Sequence, residues 1–230
     1  MLSPFTDGLL TILRRHAPDG AADWLSAQLA NLPVSPASRA DLLVAFASAG
    51  RRFGTAPLVI DDAARALIGA PSAPLLDGRG LDELARVALL LAAVGDGADD
   101  AGVPLLAELF YRGETREKQA VLRALPLMPA GARLVDVAVE ACRSSVQPVF
   151  EAIACESPYP ADHFPTSAFN QMVLKALFND VAVTRIVGLE RRVEAELVRM
   201  CGDYASERRA AGRSVPDGIR HIGELFRRKP

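Results

Sequence analysis

The fold is decided by two consecutive stretches of the chain, VPLLAELFYRGETREKQAVLRALPLMP (residues 103–129) and ARLVDVAVEACRSSVQPVFEAIACESP (residues 132–158). When they are aligned from their first residues, Leu105 falls on Leu134 and both stretches end in proline. Each has the pattern of a helix, a short polar turn and a second helix. Helix pairs of this kind bury their apolar faces by stacking on neighbouring pairs. The repeat therefore predicts an all-α fold, either a HEAT- or armadillo-like α-solenoid or an irregular multi-helix array, with about 10–12 helices.

The composition of the whole chain also favours helices. Of its 230 residues 50% are hydrophobic, mainly alanine and leucine, and only 6% are aromatic, whereas strands select β-branched and aromatic residues. This apolar content is ample for a buried core and excludes intrinsic disorder. The formal net charge of −2 does not give the broad positive field of a dedicated nucleic-acid-binding protein, so we expect no nucleic-acid partner.

We expect a single all-helical domain over residues 1–230. Its parts are N-terminal helices at 1–54, a connector rich in proline and glycine at 55–80, HEAT-like helix pairs at 81–155, and a loop with C-terminal helices at 156–230. The connector is predicted to contain one small helix, at 61–68.

Capping signals locate several helix ends. Ser3 followed by Pro4 predicts a helix start, with serine as the N-cap and proline in the first turn, and Ser35 followed by Pro36 repeats this pattern. The segment Leu81–Val94 is apolar almost all round, which predicts a central helix that is buried on several sides.

The last third of the chain is predicted from its prolines and its apolar spacing. Three prolines within residues 157–165 predict an extended segment, because proline fixes φ and disfavours helix at the preceding residue. Residues 191–211 are predicted to form one continuous helix, and residues 217–229 form a terminal amphipathic helix.

No targeting or membrane-spanning segment is expected. The longest apolar run, at 87–94, is far shorter than the roughly 20 residues needed to cross a bilayer. The cysteines at 142, 155 and 201 contain no CxxC pair and are predicted to be reduced core thiols of a cytoplasmic protein.

Spacings typical of catalysis or metal binding are absent from the sequence. It contains no HExxH, no GxSxG and no glycine-rich phosphate-binding motif, and its three histidines lie in different segments. The paired carboxylates Asp61-Asp62 and Asp99-Asp100 are expected at helix N-termini, where acids complement the helix dipole. We therefore predict no catalytic residues, no metal ligands and no cofactor.

The most unusual segment is ESPYPADHFPTSAFNQMVLKALFND, from Glu156 to Asp180. It combines a proline-rich loop that bears aromatic rings with a helix that bears hydrogen-bonding side chains. Its candidate ligand- or partner-binding residues are Tyr159, His163, Phe164, Asn170, Gln171 and Lys175. An alternative interpretation is that the segment only closes the fold, since buried polar groups usually have structural partners.

Together with DYASERRAAGRSVP at 203–216, this segment resembles the EboA family, although Ser157 stands where the family pattern has asparagine. The resemblance implies membership of an operon with a UbiA-like membrane prenyltransferase, a TatD-like hydrolase, a dehydroquinate-synthase-like protein and a sugar-isomerase-like barrel. It also implies a part in trafficking secondary metabolites across the cytoplasmic membrane.

We therefore expect a non-enzymatic scaffold or carrier that acts with other proteins of its operon, including a UbiA-like membrane protein, and that binds a small metabolite. The alternative is an enzyme acting on a small aromatic or isoprenoid metabolite, with His163 as acid or base and Lys175 as an anion anchor. Because basic residues outnumber acidic ones after Ala205, the terminal helix is also a candidate for peripheral contact with the inner membrane.

Overall fold

The computed structural model describes residues 2–32, 39–94, 102–128 and 131–229. Within these ranges the protein is all-helical, as predicted, with fifteen α-helices and three short 3-10 helices. The helices outnumber those expected because several contain only one or two turns. The predicted cap at Ser35-Pro36 and the acidic pair Asp99-Asp100 lie outside the described residues.

The chain divides into two compact units, Met1–Val137 and Ala138–Pro230, called here the N-terminal and C-terminal units. The helices of the N-terminal unit are α1 Pro4–His16, α2 Ala21–Leu29, α3 Arg39–Phe53, α4 Asp62–Ile68, α5 Ala73–Leu76, α6 Leu81–Val94, α7 Gly102–Arg112 and α8 Thr115–Ala124. The boundary between the units falls within α9 Val135–Arg143. The C-terminal unit continues with α10 Gln147–Ala154, α11 Tyr159–His163, α12 Thr166–Phe178, α13 Leu189–Arg192, α14 Ala195–Ala210 and α15 Asp217–Arg227.

The first helix begins where its capping signal predicts. The Ser3 hydroxyl accepts a hydrogen bond from the Thr6 backbone N–H at 3.2 Å. Pro4 occupies the first turn, where its missing N–H has no intrahelical partner to lose. The apolar face that follows, which includes Leu9 and Leu13, is fully buried.

The N-terminal unit is built around α6, as its apolar pattern predicts. This helix packs against α1, α2, α3, α7 and α8, and all its residues except Leu91 are buried. The buried residues nevertheless include three charged side chains, Asp82, Glu83 and Arg86, which the apolar pattern did not indicate.

The charge of Asp82 is balanced by two guanidinium groups. Arg86 Nη1 donates to Asp82 Oδ2 at 2.6 Å, and Arg116 donates to both carboxylate oxygens. Arg86 Nε also donates to the Phe46 carbonyl at 3.0 Å. Burial raises the pKa of Asp82, but the hydrogen bonds from Arg116 and Arg86 more than offset it and hold that pKa below its usual value. The carboxylate therefore stays ionised in the interior.

The connector at 55–80 is a closed loop with two helices, one more than predicted. The Leu58 N–H donates to the Arg79 carbonyl at 2.8 Å, and the Gly78 N–H donates to the Leu58 carbonyl at 2.7 Å. The predicted helix α4 is capped by Asp61, whose carboxylate accepts from the Ala64 N–H at 2.7 Å. The additional helix, α5, is a single turn.

Two expectations for the C-terminal unit are wrong. Residues 157–165 are not extended throughout, because Tyr159–His163 forms the helical turn α11. Pro160 lies in the first turn of that helix, where proline is tolerated.

Residues 191–211 do not form one helix either: α13 ends at Arg192 and α14 begins at Ala195. Lys229 Nζ donates to the Arg191 and Val193 carbonyls at 3.0 and 2.8 Å, so it satisfies acceptors that the break leaves without helical partners.

The last helix, α15, packs against α14 and buries Ile222 completely. Its first turn approaches the rest of the unit very closely. A Cβ at Gly218 would lie 2.7 Å from Leu177 Cδ2 and 3.0 Å from Val183 Cγ2. A larger residue at this position would force either these two buried side chains or the helix to shift.

Candidate functional site

The motif loop at 156–164 is a compact aromatic cluster. The Tyr159 ring is fully buried, with the His163 ring centroid 4.6 Å away and the Phe164 ring edge-on at 6.2 Å. Phe164 is also buried, whereas His163 is exposed. The structure therefore brings together three of the six predicted residues, but the rings of two of them are packed in the interior.

Arg192 fixes this loop from α13, and sequence reasoning did not identify it. Its guanidinium donates to the Ala161 carbonyl at 2.8 Å and to the Phe164 carbonyl at 2.9 Å. The same group lies 4.8 Å from the centroid of the Phe169 ring, at cation–π distance. These contacts favour a structural role for the loop.

Glu156 begins the loop in a left-handed conformation, with φ of 56°. Its carboxylate accepts from Arg185 Nε at 2.7 Å and Nη2 at 3.1 Å, and its backbone N–H donates to the Arg185 carbonyl at 2.9 Å. This two-way attachment holds a backbone conformation that a non-glycine residue rarely adopts. Sequence reasoning also missed Arg185.

The other predicted residues lie on α12 and face different ways. Asn170 is 2% exposed, and its Oδ1 has no hydrogen-bond partner among the described residues. Gln171 is exposed. Lys175 is half-buried, and its Nζ donates to the Cys142 and Ser144 carbonyls at 2.6 Å each. Burial lowers the pKa of Lys175.

A cleft of about 810 Å³ lies between α12 and α14, and Lys175 lines it. This volume is within the usual range of small-molecule sites. Its remaining lining residues are Arg143, Ser145, Leu174, Phe178, Asn179, Arg199, Met200, Asp203, Tyr204 and Glu207. We call it the α12–α14 cleft.

The aromatic wall of this cleft consists of Phe178 and Tyr204. Phe178 is 71% exposed, and its ring centroid lies 6.2 Å from that of Tyr204, with the planes tilted by 42°. The apolar spacing along α12 predicts that Phe178 is buried together with Leu177. In the structure Leu177 is buried and Phe178 is exposed. Phe178 therefore presents an open aromatic face beside Tyr204 on this side of the cleft.

Most charges around the cleft are neutralised within their own helices. Arg199 donates to Glu196 and Asp203 on α14 at 2.7 and 2.6 Å, and Arg143 pairs with Glu140 at 2.9 Å. Lys175 differs, since among the described residues no carboxylate forms an ion pair with it and its partners are neutral carbonyls.

A second cavity in the C-terminal unit, of about 410 Å³, lies where the loop at 180–184 meets the start of α15. No Phe, Tyr or Trp side chain lines it, and His163 lines neither cavity. The described residues contain no group of three or more His, Cys, Asp or Glu side chains able to hold a metal ion. In the same ranges, every helix is too short or too polar to cross a membrane.

The fold and the site together define an all-helical protein with a ligand-sized cleft in its C-terminal unit. The family model described as metabolite traffic protein EboA matches residues 5–223, so the chain belongs to the EboA family. That description connects the protein with metabolite traffic. Comparison with curated proteins and with solved structures gave no match.

Proposed function

We propose that the protein is a non-enzymatic carrier in secondary-metabolite traffic across the cytoplasmic membrane, with the α12–α14 cleft as its cargo site. One observation carries the proposal: both motifs that resemble the family contribute to the lining of this cleft. The segment at 156–180 supplies Lys175 and Phe178, and the segment at 203–216 supplies Tyr204.

A carrier must deliver its cargo, and we propose that it does so with other proteins of its operon, among them a UbiA-like membrane protein. A scaffold-like surface is supported by the helix pairs α7–α8 and α9–α10, one in each of the two repeated sequence stretches. Such pairs are the building units of a HEAT- or armadillo-like array, which remains part of the proposal.

Peripheral contact with the inner membrane through α15 is also proposed. Phe226 is 37% exposed and is followed by Arg227 and Arg228, a combination that suits an anionic interface. Lys229 contributes less, because it is held by two backbone carbonyls.

Co-sedimentation with anionic vesicles should fall when both Arg227 and Arg228 are replaced by glutamine. Equal binding by parent and variant would contradict this membrane contact.

The carrier proposal is tested by deleting the gene in its host and complementing it with the parent or with Phe178→Ala. A carrier defect leaves the same end product on the wrong side of the membrane, whereas an enzyme defect leaves a precursor. Mass spectrometry of cytoplasmic and envelope fractions distinguishes the two. We expect a mislocated product with Phe178→Ala, and a precursor that accumulates in the deletion strain would overturn the proposal.

The enzyme alternative requires His163 in a cleft beside a second titratable group. The ring of His163 is exposed and packs on Tyr159, and the neighbouring Asp162 is paired with Arg191 at 2.9 Å. We therefore expect His163→Ala to complement the deletion strain fully. Loss of product in a folded His163→Ala protein would revive the enzyme alternative.

A further inference from the structure

The α12–α14 cleft combines two features that restrict its ligand: an open aromatic wall, and an ammonium group that forms no ion pair with any carboxylate in the described ranges. Phe178 exposes 71% of its surface at the end of α12, although burying a phenylalanine ring would contribute favourably to folding. Tyr204 stands beside it on α14, 6.2 Å away between ring centroids. Two rings from different helices therefore form a surface on which a flat molecule can stack.

The ammonium of Lys175 lies on the same helix, one turn before Phe178. It has three N–H groups, and two of them are used by the Cys142 and Ser144 carbonyls. The carbonyl contacts fix the position of the ammonium without cancelling its charge. Its distance of 5.2 Å from the Phe150 ring centroid fixes it further. A positioned cation with a donor to spare suits an anionic ligand group.

The opposite wall limits where that anionic group can lie. On α14, the carboxylate of Asp203 forms an ion pair with Arg199 at 2.6 Å. Glu207 lines the cleft one turn beyond Tyr204, and its negative charge repels an anion. The ligand is therefore oriented, with its negative group towards Lys175 and its apolar body along Phe178 and Tyr204.

We propose that the α12–α14 cleft binds a planar aromatic molecule that bears one anionic group, stacked on Phe178 and Tyr204 with its anion at Lys175. This inference rests on the proposed carrier function, because it names the chemical class of the cargo. It goes beyond that function in predicting a preferred charge and a fixed orientation.

The test uses two fluorescent probes with one ring skeleton, anionic 1-anilinonaphthalene-8-sulfonate and uncharged N-phenyl-1-naphthylamine, titrated into the full-length protein. We expect saturable binding of the anionic probe at one site, and about tenfold weaker binding in Phe178→Ala. Because Phe178 is mostly exposed, this variant should keep the parent's circular dichroism and melting temperature. The matched control is Tyr111→Ala, which removes a ring that is 58% exposed on α7 beside Phe110; its binding should equal that of the parent.

The charge preference is tested on the same two probes. In Lys175→Gln the ratio of the two affinities should shift about tenfold against the anionic probe, whereas Glu207→Gln should shift it the other way. Because Lys175 also holds two carbonyls, the salt dependence of the parent gives a second measurement. Raising the salt to about 1 M should weaken the binding of the anionic probe several-fold and leave the binding of the uncharged probe unchanged.

Equal binding by parent and Phe178→Ala, or no binding of either probe by the parent, would overturn the aromatic site. If salt and Lys175→Gln changed the affinities of the anionic and the uncharged probe equally, the proposed preference for an anionic ligand would be wrong. Neither result would by itself remove the carrier function, which fails only if the deletion strain accumulates a precursor or if the product stays correctly located in it.

Discussion

At the scale of single residues, Arg192 holds the motif loop in place through three contacts. One guanidinium satisfies the carbonyls of Ala161 and Phe164 and covers the face of Phe169. The planar fork of arginine allows these contacts at the same time, whereas the ammonium of lysine is a compact charge without such a fork. The motif loop thus depends on a side chain that lies outside the motif.

We expect Arg192→Lys to lower the free energy of unfolding by about 1–2 kcal/mol, because at least one half-buried carbonyl loses its donor. Urea denaturation followed by circular dichroism measures the change. The matched control is Arg191→Lys. Within the described part of the chain the Arg191 side chain pairs only with the exposed carboxylate of Asp162, so this variant should behave like the parent. Equal effects of the two substitutions would contradict the role given to Arg192.

Some of these residues could be predicted from the sequence and others could not. The segment from Glu156 to Asp180 is conspicuous because its aromatic and amide side chains are unusual in a leucine- and alanine-rich chain, and Lys175 does line the cleft. Arg192 could not be predicted, since its contacts join positions about thirty residues apart. Phe178 could not either, because neighbouring helices decide whether a ring at the edge of an apolar stripe is covered.

At the scale of helices, the ends that carry side-chain caps were predictable and the breaks were not. Ser3 and Asp61 cap α1 and α4 where the sequence predicts, because capping is a local interaction of three or four residues. The break between α13 and α14 leaves acceptors that are satisfied by a residue distant in sequence, since Lys229 donates to the Arg191 and Val193 carbonyls. No local pattern contains that information.

The close packing of the first turn of α15 gives a prediction at this scale. Gly218→Ala should displace the helix and destabilise the C-terminal unit by about 1–3 kcal/mol, because the added methyl group overlaps Leu177 and Val183. Hydrogen exchange of residues 217–227 should accelerate in this variant.

The same helix contains its own control. At Gly223 a Cβ would lie no closer than 3.7 Å to a neighbouring side chain. Gly223→Ala should therefore be neutral or stabilise the helix by up to about 1 kcal/mol, since alanine favours helix. If both alanine variants had the same stability and the same hydrogen exchange, the close packing at Gly218 would not determine the position of α15.

At the scale of the whole molecule, both units have apolar cores, but the N-terminal core also encloses an ion network. The side chains of Asp82 and Arg86 are 1% and 6% exposed, so neither charge has water to compensate for the loss of its partner. Breaking such a pair is costly even when forming it contributes little net stability.

The network predicts how the N-terminal unit responds to acid. Because the pKa of Asp82 is lowered in the folded protein, its contribution to stability is fully present above the unfolded value of about 3.9. It is lost as the pH falls through the lower folded value. Asp82→Asn should cost about 3–5 kcal/mol at neutral pH, and its difference from the parent should shrink below about pH 4. Urea titrations at several pH values measure this, and a constant difference down to strong acid would contradict it.

The C-terminal unit gives a second prediction, from its thiols. All three cysteines are buried, and burial raises the pKa of Cys142 to about 12 and that of Cys201 to about 11. At pH 8 a thiol of pKa about 12 is thiolate in only roughly one molecule in 10,000. The folded protein should therefore react very slowly with Ellman's reagent and faster as the pH rises, whereas all three thiols should react promptly in guanidinium chloride. A thiol that reacts promptly in the folded protein would contradict the burial described.

The distribution of these side chains has a practical consequence. The only tryptophan in the sequence, Trp24, lies in the N-terminal unit with its ring 6.3 Å from that of Phe53, and every cysteine lies in the C-terminal unit. Tryptophan emission therefore reports unfolding of one unit, and thiol labelling reports unfolding of the other. The order in which the two units lose their structure can therefore be followed in the natural sequence, without introducing a tryptophan or a cysteine.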